Sequence, residues 1–262
     1  LLSPVALGQD VLFYNSGGFH TFPLGAALRD LELDYVGTSS TGELLDELRT
    51  RTWDLVVIRH VFQFLPDVQA DVLAELEAHV ARGGRLHVQM ADLEHAPDGW
   101  YDLLGLEGAV DLELPLSPIE FAPPKHPSVP GGGFHLPGNQ TFPPDYGDAL
   151  VPAFGSTVTQ RFLVDQRPST VLSRSGRILV NGQQWDNWSA SGAAGGTIGN
   201  QIRWLLRCPA DLDLDGEATI ADFLVFQNLF DRRDTVADVD GDGAWTVFDF
   251  LAFMNMFEDG CQ

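Results

Sequence analysis

An acidic twelve-residue pattern occurs twice near the end of this 262-residue chain, and it constrains the fold more than any other feature. The first copy begins at Asp211 and the second at Asp238, 27 residues later. Each copy has aspartate at positions 1, 3, 5 and 12 and glycine at position 6. In a tight loop, carboxylates at this spacing point toward one centre and supply the oxygen ligands that Ca²⁺ prefers. The duplication therefore predicts two calcium-binding loops of the EF-hand type.

The glycine at position 6 gives each loop its sharp turn, and the residue at position 7 offers its backbone carbonyl as a further ligand. The predicted metal ligands are Asp211, Asp213, Asp215, Glu217 and Asp222 in the first loop, and Asp238, Asp240, Asp242, Ala244 and Asp249 in the second. A single copy would also fit an acidic, solvated surface turn. Two copies with matching flanks favour a region that binds two Ca²⁺ ions.

Both loops run into the same helix pattern. Phenylalanine recurs at i, i+3 and i+7, which places one aromatic stripe on each helix: Phe223, Phe226 and Phe230, then Phe250, Phe253 and Phe257. Residues 208–262 are therefore predicted to form a small all-α calcium-binding domain.

This segment resembles a type I dockerin, in the cysteine-bracketed variant that ends in Gly260-Cys261. The resemblance rests on aspartate at position 12, on the missing entering helix and on the near-exact duplication. It implies anchoring to a protein partner, cohesin-like or at the cell surface, in a context of polysaccharide catabolism. Dockerins that bind cohesin have small hydroxyl residues at loop positions 10 and 11. This chain has Ile220-Ala221 and Val247-Phe248 there, which argues against a conventional cohesin.

The only two cysteines, Cys208 and Cys261, flank the duplicated segment. A disulfide between them would contribute about 4 kcal/mol in the chain-entropy model, whereas two free, buried thiols are the alternative. A disulfide requires an oxidising compartment. Residues 1–8 resemble the end of a signal peptide, with a small-x-small pattern before Gln9. The protein is therefore expected to be secreted or associated with the surface of a bacterium, outside the cytoplasm.

The charge balance narrows the range of partners. The chain has a net charge of −22, and residues 208–262, with thirteen acidic and two basic side chains, account for −11 of it. Such a surface repels nucleic acid and anionic membranes. No apolar run approaches the length of a transmembrane helix. We therefore expect neither nucleic acid nor a membrane span.

Strand and helix patterns alternate through the first part of residues 9–207. Apolar runs at residues 10–14, 33–36, 54–58 and 85–90 predict four strands, and helical patterns at residues 23–31, 41–49 and 67–82 lie between them. This β-α-β-α-β-α-β order predicts a flavodoxin-like, doubly wound α/β domain with a mostly parallel sheet. The Pro- and Gly-rich residues 115–165 predict long loops with short strands, followed by further strands near 170–172 and 177–181 and a closing helix over 197–207.

The same region resembles the class I glutamine amidotransferase-like fold, and especially ThuA-like members that are not amidotransferases. Trp53 to Val57, Val80 to Val88 and Asn200 to Leu206 carry the resemblance. The family's nucleophilic cysteine would follow the fourth strand, where this chain has Met90-Ala91-Asp92. Residues 9–207 contain no cysteine, so glutamine hydrolysis by that route is excluded.

Other polar residues follow the predicted strands, where open α/β sheets bind ligands. His20, His60, Asp92 and His135 are the candidates for metal binding or acid–base catalysis. The alternative is that these histidines cap strands or bond to loop backbone. Trp185 and Trp188 would suit a carbohydrate ligand, although core packing is the simpler interpretation.

The sequence thus favours an exported protein in which a calcium-stabilised, dockerin-like module anchors an α/β domain that is not an amidotransferase. The alternative is a secreted hydrolase or sugar-processing enzyme that the same module brings to a complex or surface. The two differ in whether the strand-end histidines converge in one pocket.

Overall fold

The structure is a computed structural model that describes residues 9–16, 22–60, 66–90, 93–97, 99–112, 119–121, 147–162, 165–182, 192–213, 215–239 and 243–260. Its first part alternates strands and helices in the predicted order: β1 (Val11–Asn15), α1 (Phe22–Asp30), β2 (Tyr35–Thr38), α2 (Thr41–Thr50), β3 (Leu55–His60), α3 (Pro66–Ala81) and β4 (Arg85–Met90). The fold class predicted for this region, a mixed α/β structure with a mostly parallel sheet, is confirmed.

The second part adds strands that extend the sheet and a helix that covers it. Its elements are α4 (Trp100–Leu104), β5 (Leu106–Asp111), β6 (Ile119–Phe121), β7 (Asp148–Pro152), β8 (Thr157–Phe162), β9 (Pro168–Leu172), β10 (Ile178–Asn181) and α5 (Gly192–Leu206). The main sheet has the order β2-β1-β3-β4-β10-β9-β8-β6, and β5 pairs with β7 in a separate ribbon. The strands from β2 to β10 in this order are parallel, and the last three pair in antiparallel fashion.

Alternate residues of the parallel strands bury on opposite faces of the sheet. Phe13 and Val57 belong to the cluster that includes α1 and α5, whereas Leu12 and Val56 belong to the cluster that includes α2 and α3. Both faces are covered, which explains why these strands are apolar along their whole length rather than alternating. Because both faces are covered, polar groups collect at the carboxyl and amino ends of the strands.

The C-terminal segment contributes α6 (Ile220–Asp231) and α7 (Val247–Asp259). The rings of Phe226 and Phe253, which are equivalent positions of the duplication, stack with centroids 4.1 Å apart and planes 3° apart. Both phenylalanines are buried in the same apolar cluster as Trp204 of α5. The segment thus packs on the α/β body through a shared core, and its status as a separate domain beginning at residue 208 stays a prediction. None of the helices in the described ranges combines the length and apolar composition that crossing a bilayer requires.

The elements that the sequence did not predict are short or lie near the Pro- and Gly-rich region. The five-residue α4 is framed by Gly99 and Gly105, both with positive φ, and is too short to show a helical period. The β5–β7 ribbon joins strands whose sequence separation is large, and no local pattern encodes such a pairing. The β5–β7 ribbon brings together, near the end of β4, carboxylates that are far apart in the sequence.

Candidate functional site: the duplicated acidic loops

The first acidic loop brings four carboxylates together. One oxygen from each of Asp211, Asp213, Asp215 and Asp222 lies within 4.8 Å of the others. Asp211 and Asp222 are buried, while the other two face solvent. Buried carboxylates are costly unless a cation or hydrogen-bond donors compensate them. The arrangement is therefore one that a bound cation would stabilise.

The backbone of the loop holds these side chains in place. The amide of Gly216, which has φ of +94°, donates to Asp211 Oδ2 over 3.0 Å. Asp222 accepts from the amides of Leu212 at 2.6 Å and Thr219 at 2.7 Å. Since a carboxylate offers about four lone-pair positions, Asp222 both caps α6 and faces the other three carboxylates. The last carboxylate of the loop therefore has a structural role as well as a position suited to metal binding.

The second loop repeats these contacts 27 residues later. Gly243, with φ of +84°, donates to Asp238 at 2.9 Å, and Thr246 donates to Asp249 at 2.8 Å. The N-caps of the two helices, Thr219 and Thr246, have the same φ of −124° and ψ of 175°. Asp240 and Asp242, the third and fifth positions, lie outside the described residues. The described part of the second loop therefore has the same geometry as the first.

Without a bound cation, the carboxylates of the first loop repel one another. Partial desolvation raises the pKa of Asp213, although this side chain reaches solvent, and the neighbouring carboxylates of Asp222 and Asp215 raise the pKa further. Each of these effects disfavours the charged form of the side chain. A divalent cation at the centre would reverse the effect of the neighbouring charges on this pKa.

Glu217 and Ala244, at position 7 of the two loops, are exposed.

Cys208 lies just before the first loop. Cys261 lies outside the described residues, so the predicted pairing with it stays a prediction.

Most of the residues proposed for an active site at the strand ends lie outside the described part of the chain. His20, Asp92 and His135 are outside the described ranges, as are Trp185 and Trp188, and for His60 only the backbone at the end of β3 is described. Their convergence is therefore untested. The hypothesis of a catalytic or carbohydrate-binding site there stays a prediction.

A row of buried polar side chains crosses the sheet close to those strand ends. Asn15, Arg59, Gln89 and Asn181 are neighbours in register on β1, β3, β4 and β10. Arg59 donates to Asn15 Oδ1 over 2.7 Å, and Asn181 exchanges hydrogen bonds with Gln201 of α5. The sequence signal for this row is weak, because each residue ends or nearly ends a strongly apolar strand. The row provides hydrogen-bonding groups beside the edge where α/β proteins bind ligands.

A second acidic cluster, which sequence reasoning missed, joins Glu94, Asp111 and Asp148. Asp111 and Asp148 face each other in the β5–β7 ribbon, and Glu94 lies in the turn after β4. Asp148 is buried and accepts from the amide of Leu93 over 2.8 Å. Burial raises the pKa of the nearby Tyr101 hydroxyl, and the charges of Asp148 and Glu94 raise it further. The cluster therefore concentrates negative charge beside the end of β4.

The sequence matches no known protein family, and no curated protein matches it. Solved structures do resemble the fold. A glutamine amidotransferase from Thermotoga maritima aligns with a TM-score of 0.50 at 10% identity, covering 95% of this chain and 98% of that one. The PurLQS structure from the same organism aligns with a TM-score of 0.48 at 14% identity, covering 76% and 98%. The first similarity supports a class I glutamine amidotransferase-like, flavodoxin-like fold, and at this identity it shows the fold alone.

Proposed function

We propose that residues 208–262 form a dockerin-like module that binds two Ca²⁺ ions and anchors the α/β domain to a protein partner outside the cytoplasm. The observation that carries this proposal is the convergence of four carboxylates in the first loop within 4.8 Å. The repetition of the same backbone contacts around Asp238 and Asp249 extends it to a second ion.

The donor set favours calcium over other metals. The predicted ligands of both loops are carboxylate and carbonyl oxygens, without histidine or cysteine. Zinc and the later transition metals prefer nitrogen and sulfur ligands, and Mg²⁺ keeps several waters in a strict octahedron. A flexible loop that supplies five oxygen donors from nearby positions suits the larger Ca²⁺ ion.

The anchoring part of the proposal rests on exposed apolar side chains at equivalent positions of the two helices. Ile220 and Val247 are 69% and 63% exposed, and Leu224 and Leu251 are 53% and 52% exposed. Phe248 adds a ring that is 65% exposed. Ile220 and Leu224 are four residues apart on α6, as Val247 and Leu251 are on α7, so each helix has an exposed apolar stripe, a feature typical of protein-binding sites. We refer to these five residues as the apolar patch, and we assign the partner contact to it.

The α/β domain is proposed to be the cargo of this anchor rather than an amidotransferase. It has the fold of that group but lacks a cysteine anywhere in residues 9–207. A secreted hydrolase or sugar-processing enzyme is the second candidate, favoured by the buried polar row beside the strand ends.

Calorimetric titration of the full chain with CaCl₂, after removal of metal with EDTA, tests the calcium proposal. We expect two bound ions for the native chain and loss of both sites in an Asp211→Ala, Asp238→Ala double variant. Asp231→Ala removes an exposed acid outside the loops and serves as the matched control. Two calcium sites retained in the double variant would disprove the ligand assignment.

A further inference from the structure

A basic pocket lies at the amino ends of the central strands, at the opposite edge of the sheet from the polar row. It has a volume of about 180 Å³ and opens between the hairpin before β10, the end of α5 and the C-terminal segment. Arg85, Arg174, Arg177 and Arg207 line it, together with Asp238. Four of the fourteen arginines of a chain with net charge −22 thus meet at one cavity.

The guanidinium groups of Arg207 and Arg177 are held in place by the protein and still have N–H donors for a ligand. The guanidinium carbon of Arg207 lies over the ring of Trp204, 3.6 Å from its centroid, and the guanidinium donates to the Trp204 carbonyl. Its Nε is buried and has no hydrogen-bond partner. Arg177 donates to the carbonyl of Gly83 across the pocket rim. Both side chains are therefore oriented before any ligand arrives, which lowers the cost of binding.

The positive charges of the pocket are poorly compensated. Among the described residues, neither Arg85, Arg177 nor Arg207 has a carboxylate within salt-bridge distance, whereas Arg174 lies 3.6 Å from Asp238. Burial and the charge of Arg85 together lower the pKa of Arg207 to about 9, against the opposing charge of Asp211. Burial and the charge of Arg177 likewise lower the pKa of Arg85, and the charge of Asp54 offsets only part of this effect. A negatively charged ligand would relieve this repulsion.

We propose that this pocket binds a doubly charged tetrahedral oxyanion, a phosphate or sulfate group. Three guanidinium groups without carboxylate partners match a dianion better than a single carboxylate, and guanidinium forks pair well with tetrahedral oxyanions. The ligand would contact the hairpin, the end of α5 and the C-terminal segment together. Leu212 of the first loop and Asp238 of the second line the pocket, so the C-terminal segment must be in place for the ligand to bind, whereas the anion itself is held by arginines and not by the metal ligands.

Calorimetric titration of the full chain with sodium phosphate, and separately with sodium sulfate, tests the proposal. The buffer contains no EDTA and is kept at constant ionic strength, so any cation bound to the acidic loops stays in place and general screening does not contribute. We expect one saturable site for at least one of the two anions. Arg177→Gln, at the exposed rim, is expected to lower the affinity at least tenfold. Arg29→Gln, an exposed arginine at the end of α1, is the matched control and should leave the affinity unchanged.

A second variant separates charge from geometry. Arg85→Lys keeps the positive charge and removes the planar fork, so we expect an affinity between those of the native chain and Arg177→Gln. Circular dichroism establishes that each variant is folded. The proposal is overturned if neither anion gives a saturable isotherm, or if folded Arg177→Gln binds as tightly as the native chain. Either result would mean that the arginines only balance the acidic C-terminal segment.

Discussion

His87 is a buried titratable group in the centre of the sheet, with its Nε2 2.8 Å from Oε1 of Gln201. Burial lowers its pKa from 6.5 to about 4, against the opposing effect of the Gln201 hydrogen bond. The folded chain therefore keeps His87 neutral at pH values where the unfolded chain protonates it. The resulting stability is fully present above pH 6.5 and is lost as the pH falls toward 4.

We predict that this one group lowers the free energy of unfolding by roughly 3 kcal/mol between pH 6.5 and 4. Urea unfolding of the native chain and of His87→Gln across this range measures it. The variant cannot titrate at this position, so its stability should fall less than that of the native chain by about that amount. Parallel pH profiles for the two proteins would contradict the prediction. Carboxylates titrate in both proteins, so their contribution cancels when one pH profile is subtracted from the other.

Residue-scale prediction from the sequence worked where neighbours in the chain are neighbours in space. The ligands of the first loop lie within twelve residues, so their spacing alone predicted that Asp211 and Asp222 meet. Glu94 and Asp148 are far apart in sequence and meet only because the β5–β7 ribbon forms beside β4. The burial of Gln89 also depends on the whole fold, since its position on β4 gives no local indication of what covers it.

At the scale of elements, the duplicated helices α6 and α7 begin with the same capping box. The side-chain oxygen of each N-cap threonine accepts from a backbone amide of the first turn, at 3.2 Å for Thr219 and 3.1 Å for Thr246. The aspartate three residues later, Asp222 or Asp249, accepts from the N-cap amide in return. Because the geometry is identical, the two caps should contribute equally to stability.

We predict that Thr219→Ala and Thr246→Ala each lower the free energy of unfolding by about 1 kcal/mol, the usual contribution of an N-cap side chain. Thermal or urea unfolding in the absence of calcium measures the change. Thr52→Ala, in an exposed segment before β3, is the matched control and should change stability by less than 0.5 kcal/mol, as roughly expected for an exposed site. A large difference between the two cap variants would show that the repeats are not energetically equivalent.

The apolar patch leads to a second prediction at this scale. Ile220→Glu with Phe248→Glu should leave the folded structure and the calcium isotherm intact, since both side chains are more than half exposed. The native chain should bind a cell-surface protein of its source organism, and only when calcium is present. The double variant should fail to bind that protein in the same pull-down experiment. Arg29→Gln tests for general surface effects. Partner binding that survives the double variant would move the contact surface elsewhere.

Element prediction succeeded for strands and helices with a strong period and failed for short or non-local ones. The strand at Arg85–Met90 was predicted to the residue, because it begins directly after the Gly83-Gly84 turn. The start of α2 was also predicted to the residue, at Thr41, and its N-cap Ser40 accepts from the amide of Glu43. The antiparallel pairing of β8, β9 and β10 has no local signal, and the sequence predicted only that strands occur near two of them.

At the scale of the whole molecule, the two regions differ in charge and share a core. Residues 208–262 carry half of the net charge of −22, yet Phe226 and Phe253 bury against the same cluster as Trp204 of the α/β body. Arg174, from the hairpin before β10, also reaches Asp238 in the second loop at 3.6 Å. The acidic loops are therefore connected to the body by apolar packing and by at least one charged contact.

This connection sets the expected result of removing calcium from the full chain. Without the cation, the carboxylates of both loops repel one another, and the segment from residue 208 should open more often. We predict faster amide hydrogen exchange in α6 and α7 on adding EDTA and a smaller increase in α5. No change is expected in β1, β3 and β4, because their strands pair with one another inside the central sheet and not with the segment. Asp211→Ala with Asp238→Ala should reproduce the pattern even with calcium present. Equal exchange with and without calcium would show that packing against Trp204 holds the segment by itself. A uniform increase through the parallel strands would instead mean that the chain unfolds as one cooperative unit.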